Sequence, residues 1–314
     1  MEGKRRAAVE SMKVRARVVA GACLHHMGLH EKLLLVRSPI ERFWKRRLRS
    51  YLTSYYDTVE SAEAALYVPE LDLVFVCDLK DHMLEPYLQG RAGVYELREI
   101  DHFRRRCRAG DQLLDLGANH GFWGFSVARA AGRGTRLVLV EANPVIARRL
   151  RRTARFNPAI EATVVECAIG DGIRREATFY LPRAGLSGLG SLVLHDTART
   201  NKYLTEEHTI TVPSRALDDL VAAGVVTGMD LVKIDLEQAE DVMVSGAQES
   251  FRRFRPRLVM CETSNDSATY RFFRHLGYED YLLDEAGRPA PVPRDPFWGN
   301  IFFARTESRR SESR

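Results

Sequence analysis

The 314-residue chain contains no pair of cysteines at CxxC spacing. Its five cysteines, Cys23, Cys77, Cys107, Cys167 and Cys261, stand far apart in the sequence. That scatter excludes a zinc ribbon and a dense disulfide framework, and it leads us to expect buried thiols in a reducing compartment. No stretch reaches the roughly 18 uncharged apolar residues of a membrane-spanning helix. Fixed-period repeats and Pro-rich tracts are also missing, which excludes solenoid and fibrous architectures. Charge of one sign is only slightly in excess, at +5 with a pI near 9.0, so attraction to phosphates is permitted without being demanded. His26 and His30 share a spacing of four, but Gly28 lies between them and no third ligand is near, so no metal is expected. The GxGxxG turn that brings a pyrophosphate against a helix N-terminus is absent, which disfavours a dinucleotide oxidoreductase.

What is present is an ordinary globular composition, 45% hydrophobic and 28% charged, long enough for two packed units. Lys4, Arg5 and Arg6 precede a short apolar run from Val18 to Leu24. Lys13, Arg15 and Arg17 abut that run, so the segment is a poor leader and a cytoplasmic location is expected. Ser38, Pro39 and Glu41 form a capping box that starts a helix. Ile40, Phe43, Trp44, Leu48, Tyr51, Leu52 and Tyr55 would line its apolar stripe, with Arg42, Lys45, Arg46, Arg47 and Arg49 beside it. That basic helix from Pro39 is expected to pack on its own domain; peripheral contact with an anionic membrane or a carrier protein is the alternative. Residues 1–94 read as a mainly helical accessory region, with one strand at Leu71 to Cys77. The tail 307–314 is expected to be disordered, and the oligomeric state is left open.

From about residue 95 strands and helices alternate: QLLDL, GFWGFSVARAA, RLVLVEA, a helix to Phe156, ATVVECAIG, DLVKID, a helix through Phe254, RLVMCET and a helix over Tyr270 to Leu276. Such βα repetition gives a parallel sheet. Two late strands, DYLLDE and NIFFAR, can pair antiparallel. Between Asp171 and Leu217 lies a less regular insert, GLSGLGSL among TFYLP and TITVP, of the kind that shapes substrate loops. Asp115 to Gly124, DLGANHGFWG, joins a strand to a helix where open α/β sheets bind ligands. Glu141 ends the next strand, from which a carboxylate can accept both hydroxyls of a ribose; the helix start at Asn143 and Pro144 offers it a structural role as well.

Taken in order, DLGANHG, VEANP, AIGD at Ala168 to Asp171, RALDDL at Arg215, DLVKIDLEQAE and RLVMCET resemble the FkbM family of class I methyltransferases over about residues 95 to 305. The resemblance implies an α/β, Rossmann-like sheet of seven mostly parallel strands, the last antiparallel, carrying a helical N-terminal extension and forming a domain at 95–306. It implies S-adenosyl-L-methionine as cofactor and, most often, O-methylation of a small hydroxylated metabolite or sugar. Asp115, Gly117, Ala118, Asn119 and Gly121 would form the cofactor turn, Glu141 and Ala142 the ribose contact, and Asp171 a contact near the adenine. A sulfonium needs carboxylates and apolar walls rather than a phosphate cradle.

On the acceptor side, Asp235, Glu237 and Glu240 are the candidate catalytic residues. An equal structural reading makes Asp235 an N-cap, with Gln238 completing a capping box. The family has Gly at the Gln238 position. Glu262 and His120 face the same expected cleft. Arg148, Arg149, Arg151, Arg152 and Arg155 read as a solvated helix face without interleaved aromatics, and no Pro-Pro-Tyr motif of amino-directed nucleic-acid methyltransferases is present. No nucleic-acid partner is therefore expected; an RNA or protein methyltransferase, or a catalytically silent binding protein, are the alternatives.

Overall fold

The computed structural model describes residues 2–26, 51, 54–55, 58–59, 61–68, 71–81, 84, 96–182, 187–193 and 204–305. The basic helix from Pro39, the glycines at 90 and 93, and the tail after 306 lie outside the described residues. Chain contacts divide into two compact units, one of residues 1–67 with 77–95, the other of residues 68–76 with 96–314. The first unit contains a long helix α1 (Glu2–His26) and a strand β1 (Glu63–Val68), and the strand expected at Leu71 to Cys77 is β2 (Leu73–Asp78). None of the described helices is long and apolar enough to cross a membrane.

The second unit is an α/β sheet. Strands β3 (Gln112–Leu116), β4 (Arg136–Glu141), β5 (Glu161–Glu166), β9 (Leu231–Ile234), β10 (Leu258–Ser264), β11 (Tyr278–Leu283), β12 (Pro289–Ala290) and β13 (Trp298–Arg305) line up as β12-β11-β13-β10-β9-β3-β4-β5. β13 runs antiparallel between β10 and β11, and the two-residue β12 adds one strand to the seven expected. The insert is more regular than its Gly/Ser content suggested. β7 (Glu176–Pro182) pairs antiparallel with a twelve-residue β8 (Leu204–Arg215), which also takes β6 (Ala168–Ile169) as a parallel neighbour.

Pleat parity decides which residues meet. Leu114, Leu116, Val232, Ile234, Val259, Cys261, Ile301 and Phe303 share one face, buried under α5 (Leu217–Ala222), α6 (Glu240–Ser245), α7 (Gln248–Phe254) and α8 (Ala268–His275) through Leu217, Met243, Phe251 and Phe273. The opposite face carries Leu113 and Asp115 on β3, Lys233 on β9, Met260 on β10 and Phe302 on β13, neighbours in register. Helices α2 (Leu97–Arg104) and α3 (Phe122–Ala131) close over it, with Phe103 edge-on to Trp123 at 4.9 Å and tilted against Phe302 at 5.8 Å. Helix α4 (Pro144–Phe156) is capped as its sequence predicts: Asn143 accepts the Val145 N–H and Pro144 fills the first helical position. Of its arginines, Arg149 is buried rather than solvated. Thr153 accepts the Val76 N–H at 2.9 Å, and Asn157 brackets Val74, which places the 68–76 segment on this helix. All five cysteines are free; Cys77, Cys167 and Cys261 are buried, whereas Cys23 is exposed.

The end of the sheet away from the candidate site is tied by Arg257. Its guanidinium reaches both oxygens of the buried Asp111 carboxylate, at 3.0 and 2.8 Å, and Asp230 at 2.9 Å, gathering the entries of β3, β9 and β10. Removing it strands a buried carboxylate. Arg257→Ala should therefore lower unfolding free energy by about 2 kcal/mol in urea titration while leaving cofactor affinity unchanged.

Candidate cofactor and acceptor site

The turn after β3 is built from left-handed residues: Gly117 (φ 78°), Asn119 (φ 46°) and Gly121 (φ 78°). Only glycine takes this region without steric cost, and asparagine tolerates it. A β-carbon on Gly117 would stand 1.8 Å from the Asp235 carbonyl oxygen, so the turn and the end of β9 are in direct contact. The Gly117 and Ala118 N–H groups donate to the Val140 carbonyl, both at 3.0 Å, which locks the turn to β4. Gly124 has a different reason to lack a side chain: a β-carbon there would lie 2.9 Å from Asp115 Oδ2.

Glu141 ends β4 as expected and is buried. Its Oε2 accepts the Asn119 N–H at 2.9 Å and its Oε1 the Asn143 N–H at 2.8 Å, so it serves the turn and the α4 start together. Burial raises its pKa and those two donors oppose the rise. Each oxygen retains a lone pair, as ribose binding needs. Asp115 is buried; Oδ2 accepts the Gly124 N–H at 3.2 Å, while Oδ1 has no partner among the described residues. Burial lifts its carboxyl to about 7, against the pull of Lys233. Asp171 folds back on its own loop, accepting the Ile173 N–H at 2.9 Å. A buried unpartnered acceptor, a left-handed glycine turn and an end-of-strand carboxylate fit an adenosyl sulfonium.

The acceptor side holds the residue that sequence reasoning missed. Lys233 is 7% exposed, with Nζ 2.9 Å from Asp235 Oδ2 and 3.5 Å from Glu96 Oε2. Burial works against its ammonium, yet Asp235, Glu96 and Asp115 together hold its proton well above the ordinary lysine range. The signal was present in DLVKID, where a lysine stands inside an apolar run and period two puts it on the same face as Asp235. Its partner Glu96 lies too far away in sequence to be paired without the fold.

Asp235 is not an N-cap. After it the chain turns through Glu237 (φ 50°) and Gln238 (φ 75°), and helix α6 begins only at Glu240. Two left-handed residues cannot be the first turn of a right-handed helix. The family glycine is thereby explained, since Gln238 sits in a conformation that glycine adopts freely. Glu240 reaches back to the Leu236 N–H at 2.7 Å and closes this turn. Ser191 of the insert donates to the Glu237 carbonyl at 2.5 Å, so the insert braces the same turn.

Around Lys233 the carboxyl groups outnumber the cations. Oxygens of Asp235, Glu237 and Glu262 lie within 4.8 Å of one another. Burial first, then the Asp235 charge and other carboxyls, lift Glu237 to about 9. Burial lifts Glu240 to about 8 against two backbone donors, and burial with Asp235 lifts Glu262 to about 7. Trp298, 41% exposed, donates its indole N–H to Glu262 at 3.3 Å and stands at the rim. His120 is buried beside Phe122 at 5.5 Å, next to the turn rather than among the acceptor-side carboxyls.

Residues 115–287 match the methyltransferase FkbM domain, more than half of the chain. The chain belongs to the FkbM methyltransferase family. Residues 115–287 thus form a methyltransferase domain of that family. This FkbM chain is also 40% identical over 73 residues to the ribosomal RNA large subunit methyltransferase E of Sorangium cellulosum, covering 23% of this chain and 30% of that protein. The match thus spans about a third of that curated relative. Among solved structures it is similar to Aeropyrum pernix fibrillarin with bound S-adenosyl-L-methionine (16% identity, 63% and 67% of the two chains, TM-score 0.33). It is similar also to M. jannaschii TYW2 in complex with AdoMet (10% identity, 77% and 84%, TM-score 0.40). Likenesses that distant carry no argument about acceptor or mechanism.

Four carboxyls of this FkbM protein, the buried Asp115 and Glu240 and the half-buried Glu237 and Glu262, keep protons that the unfolded chain releases near pH 4. Their stabilisation is complete below that pH and is lost as pH rises towards 7 to 9. The buried His102, held down to about 3 by burial and its arginine neighbours, contributes in the opposite sense only below pH 6.5. The cofactor-free protein should therefore lose of order 2 kcal/mol between pH 6.5 and 9, read as a falling Tm by scanning calorimetry. At pH 7 Gln238→Gly should raise stability by about 1 kcal/mol, by relieving the left-handed glutamine.

Proposed function

We propose that this FkbM methyltransferase O-methylates a small hydroxylated metabolite or sugar in the cytoplasm, with Asp235 as the group that takes the hydroxyl proton. The observation that carries this reading is the contact between the Gly117 turn and the end of β9, which sets the Asp235 backbone against the proposed cofactor turn. Asp115, Gly117, Ala118, Asn119, Gly121, Glu141, Ala142 and Asp171 are assigned to the cofactor. S-adenosylmethionine supplies an electrophilic methyl group on a sulfonium. The protein's part is then to orient a hydroxyl in line with that methyl and to receive its proton. Lys233 holds Asp235 in place. Glu237 is positioned to donate a hydrogen bond to an acceptor oxygen near neutral pH, because its proton is retained to about 9. Glu240 serves the site by closing the turn that carries Glu237.

The charge of this edge supports a small acceptor over a nucleic acid. Asp235 and Glu96 flank the Lys233 ammonium, so this edge offers no surplus of positive charge to a phosphate backbone. The stretch of 40% identity to a ribosomal RNA methyltransferase favours RNA as the second reading. Screening radiolabelled methyl transfer to a panel of hydroxylated metabolites and sugars, against structured RNA at low salt, separates the two. Transfer to RNA alone would contradict the proposal. With an accepted metabolite, Asp235→Asn should lower kcat by about 100-fold or more while cofactor Kd moves by less than about threefold. Glu141→Ala should weaken S-adenosylmethionine binding by about tenfold or more in calorimetry.

A further inference from the structure

Asp235 leaves one of its oxygens unanswered. Oδ2 receives Lys233, whereas Oδ1 is buried and meets no donor among the described residues. The nearest acidic neighbours are Glu237 on the following turn and Glu262 on β10, their oxygens within 4.8 Å. Glu262 Oε1 accepts the Trp298 indole N–H at 3.3 Å. Register places Glu262 and Asp235 on one face of adjacent strands: Cys261 pairs with Ile234, and each carboxyl is the next residue. Two half-buried carboxylates in this position would repel each other and leave the buried Oδ1 atom unsatisfied. One proton between them removes both faults.

We propose that Glu262 and Asp235 share a single proton, making Glu262 a positioning residue that acts through Asp235. The inference rests on the acceptor-side reading of Asp235 given above. As the acceptor oxygen bonds to the methyl carbon and the carbon–sulfur bond breaks, the hydroxyl proton passes to this pair. The pair goes from one shared proton to two and from one negative charge to none, then returns by losing a proton to water. The other charged or titratable groups around it are Lys233 on β9, Glu96 before α2, Asp115 on β3, Glu141 on β4, the Cys261 thiol on β10, and Glu237 and Glu240 on the turn into α6. Glu262 is lifted to about 7 by burial and then by Asp235, which puts loss of the shared proton within reach of a direct titration.

Trp298 is the reporter. The cofactor-free protein is titrated from pH 5 to 9 by tryptophan emission, with Trp298→Phe used to subtract the other tryptophans. A transition near pH 7 is expected, absent in Glu262→Gln. In Asp235→Asn it should move down by about one unit or more, because the negative neighbour that opposed ionisation is gone. This second variant keeps Glu262, so it decides the matter even where Glu262→Gln does not fold. A transition that is missing from the wild type, or that stays at the same pH in Asp235→Asn, overturns the shared proton. So does a downward displacement of more than about one unit by millimolar Mg²⁺, which would assign the carboxyls to a cation instead. Failure of the acceptor reading is separate: it appears as methyl transfer undiminished in Asp235→Asn, whatever the emission does.

Discussion

The ion pair between Lys233 and Asp235, 2.9 Å long and shielded from water, is the interaction on which the acceptor edge depends. Burying an ammonium is costly unless carboxylates surround it, and a carboxylate cluster is costly unless something offsets its charge. Lys233 answers both demands. It also joins three elements, since Glu96 lies at the entry of α2 and Asn300 on β13 donates weakly to the same Glu96 carboxyl. The sheet makes this arrangement possible. Lys233, Asp235, Asp115 and Glu262 fall on one face of neighbouring strands, and α2 and α3 close over that face.

From this pair the site divides into a proposed cofactor half and a proposed acceptor half that meet at the backbone contact between Gly117 and Asp235. The turn of the cofactor half is held because its residues tolerate the left-handed region and its N–H groups bond to the Val140 carbonyl. The acceptor half relies on the same device with poorer material. Glu237 and Gln238 occupy left-handed conformations without being glycine, and Glu240 and Ser191 hold them there through backbone hydrogen bonds. Strain kept at a site and offset by surrounding bonds is a common feature of functional turns.

Much of the fold was legible in the sequence, because it depends on periodicity. The βα alternation, the Asn143–Pro144 helix start, the glycine turn and the end-of-strand Glu141 all follow local rules. What was not legible depends on proximity through space or on backbone torsion. The capping-box reading of Asp235 failed because residue types at a fixed spacing do not reveal that two intervening residues have positive φ. The pairing of Lys233 with Glu96 needed the strand order. The regularity of the insert depends on pairing between β7 and β8, which glycine and serine content near GLSGLGSL does not reveal. The Arg149 side chain, one of five arginines on a helix taken as solvated, is buried because it sits on the same helix face as Ile146, Leu150 and Thr153.

The central proposal is that the proton-holding carboxyls of this edge, Asp115, Glu237, Glu240 and Glu262, face the sulfonium of the cofactor. A cation brought to such carboxyls lowers their pKa, so its binding must release protons, whereas a neutral thioether has no such effect. The direct measurement is calorimetric binding at pH 7.5 in two buffers of different ionisation enthalpy, for S-adenosylmethionine and for S-adenosylhomocysteine. The expected result is buffer-dependent heat that corresponds to clear proton release with the sulfonium and to much less with the thioether. Equal proton release for both ligands, or none for either, would contradict the account.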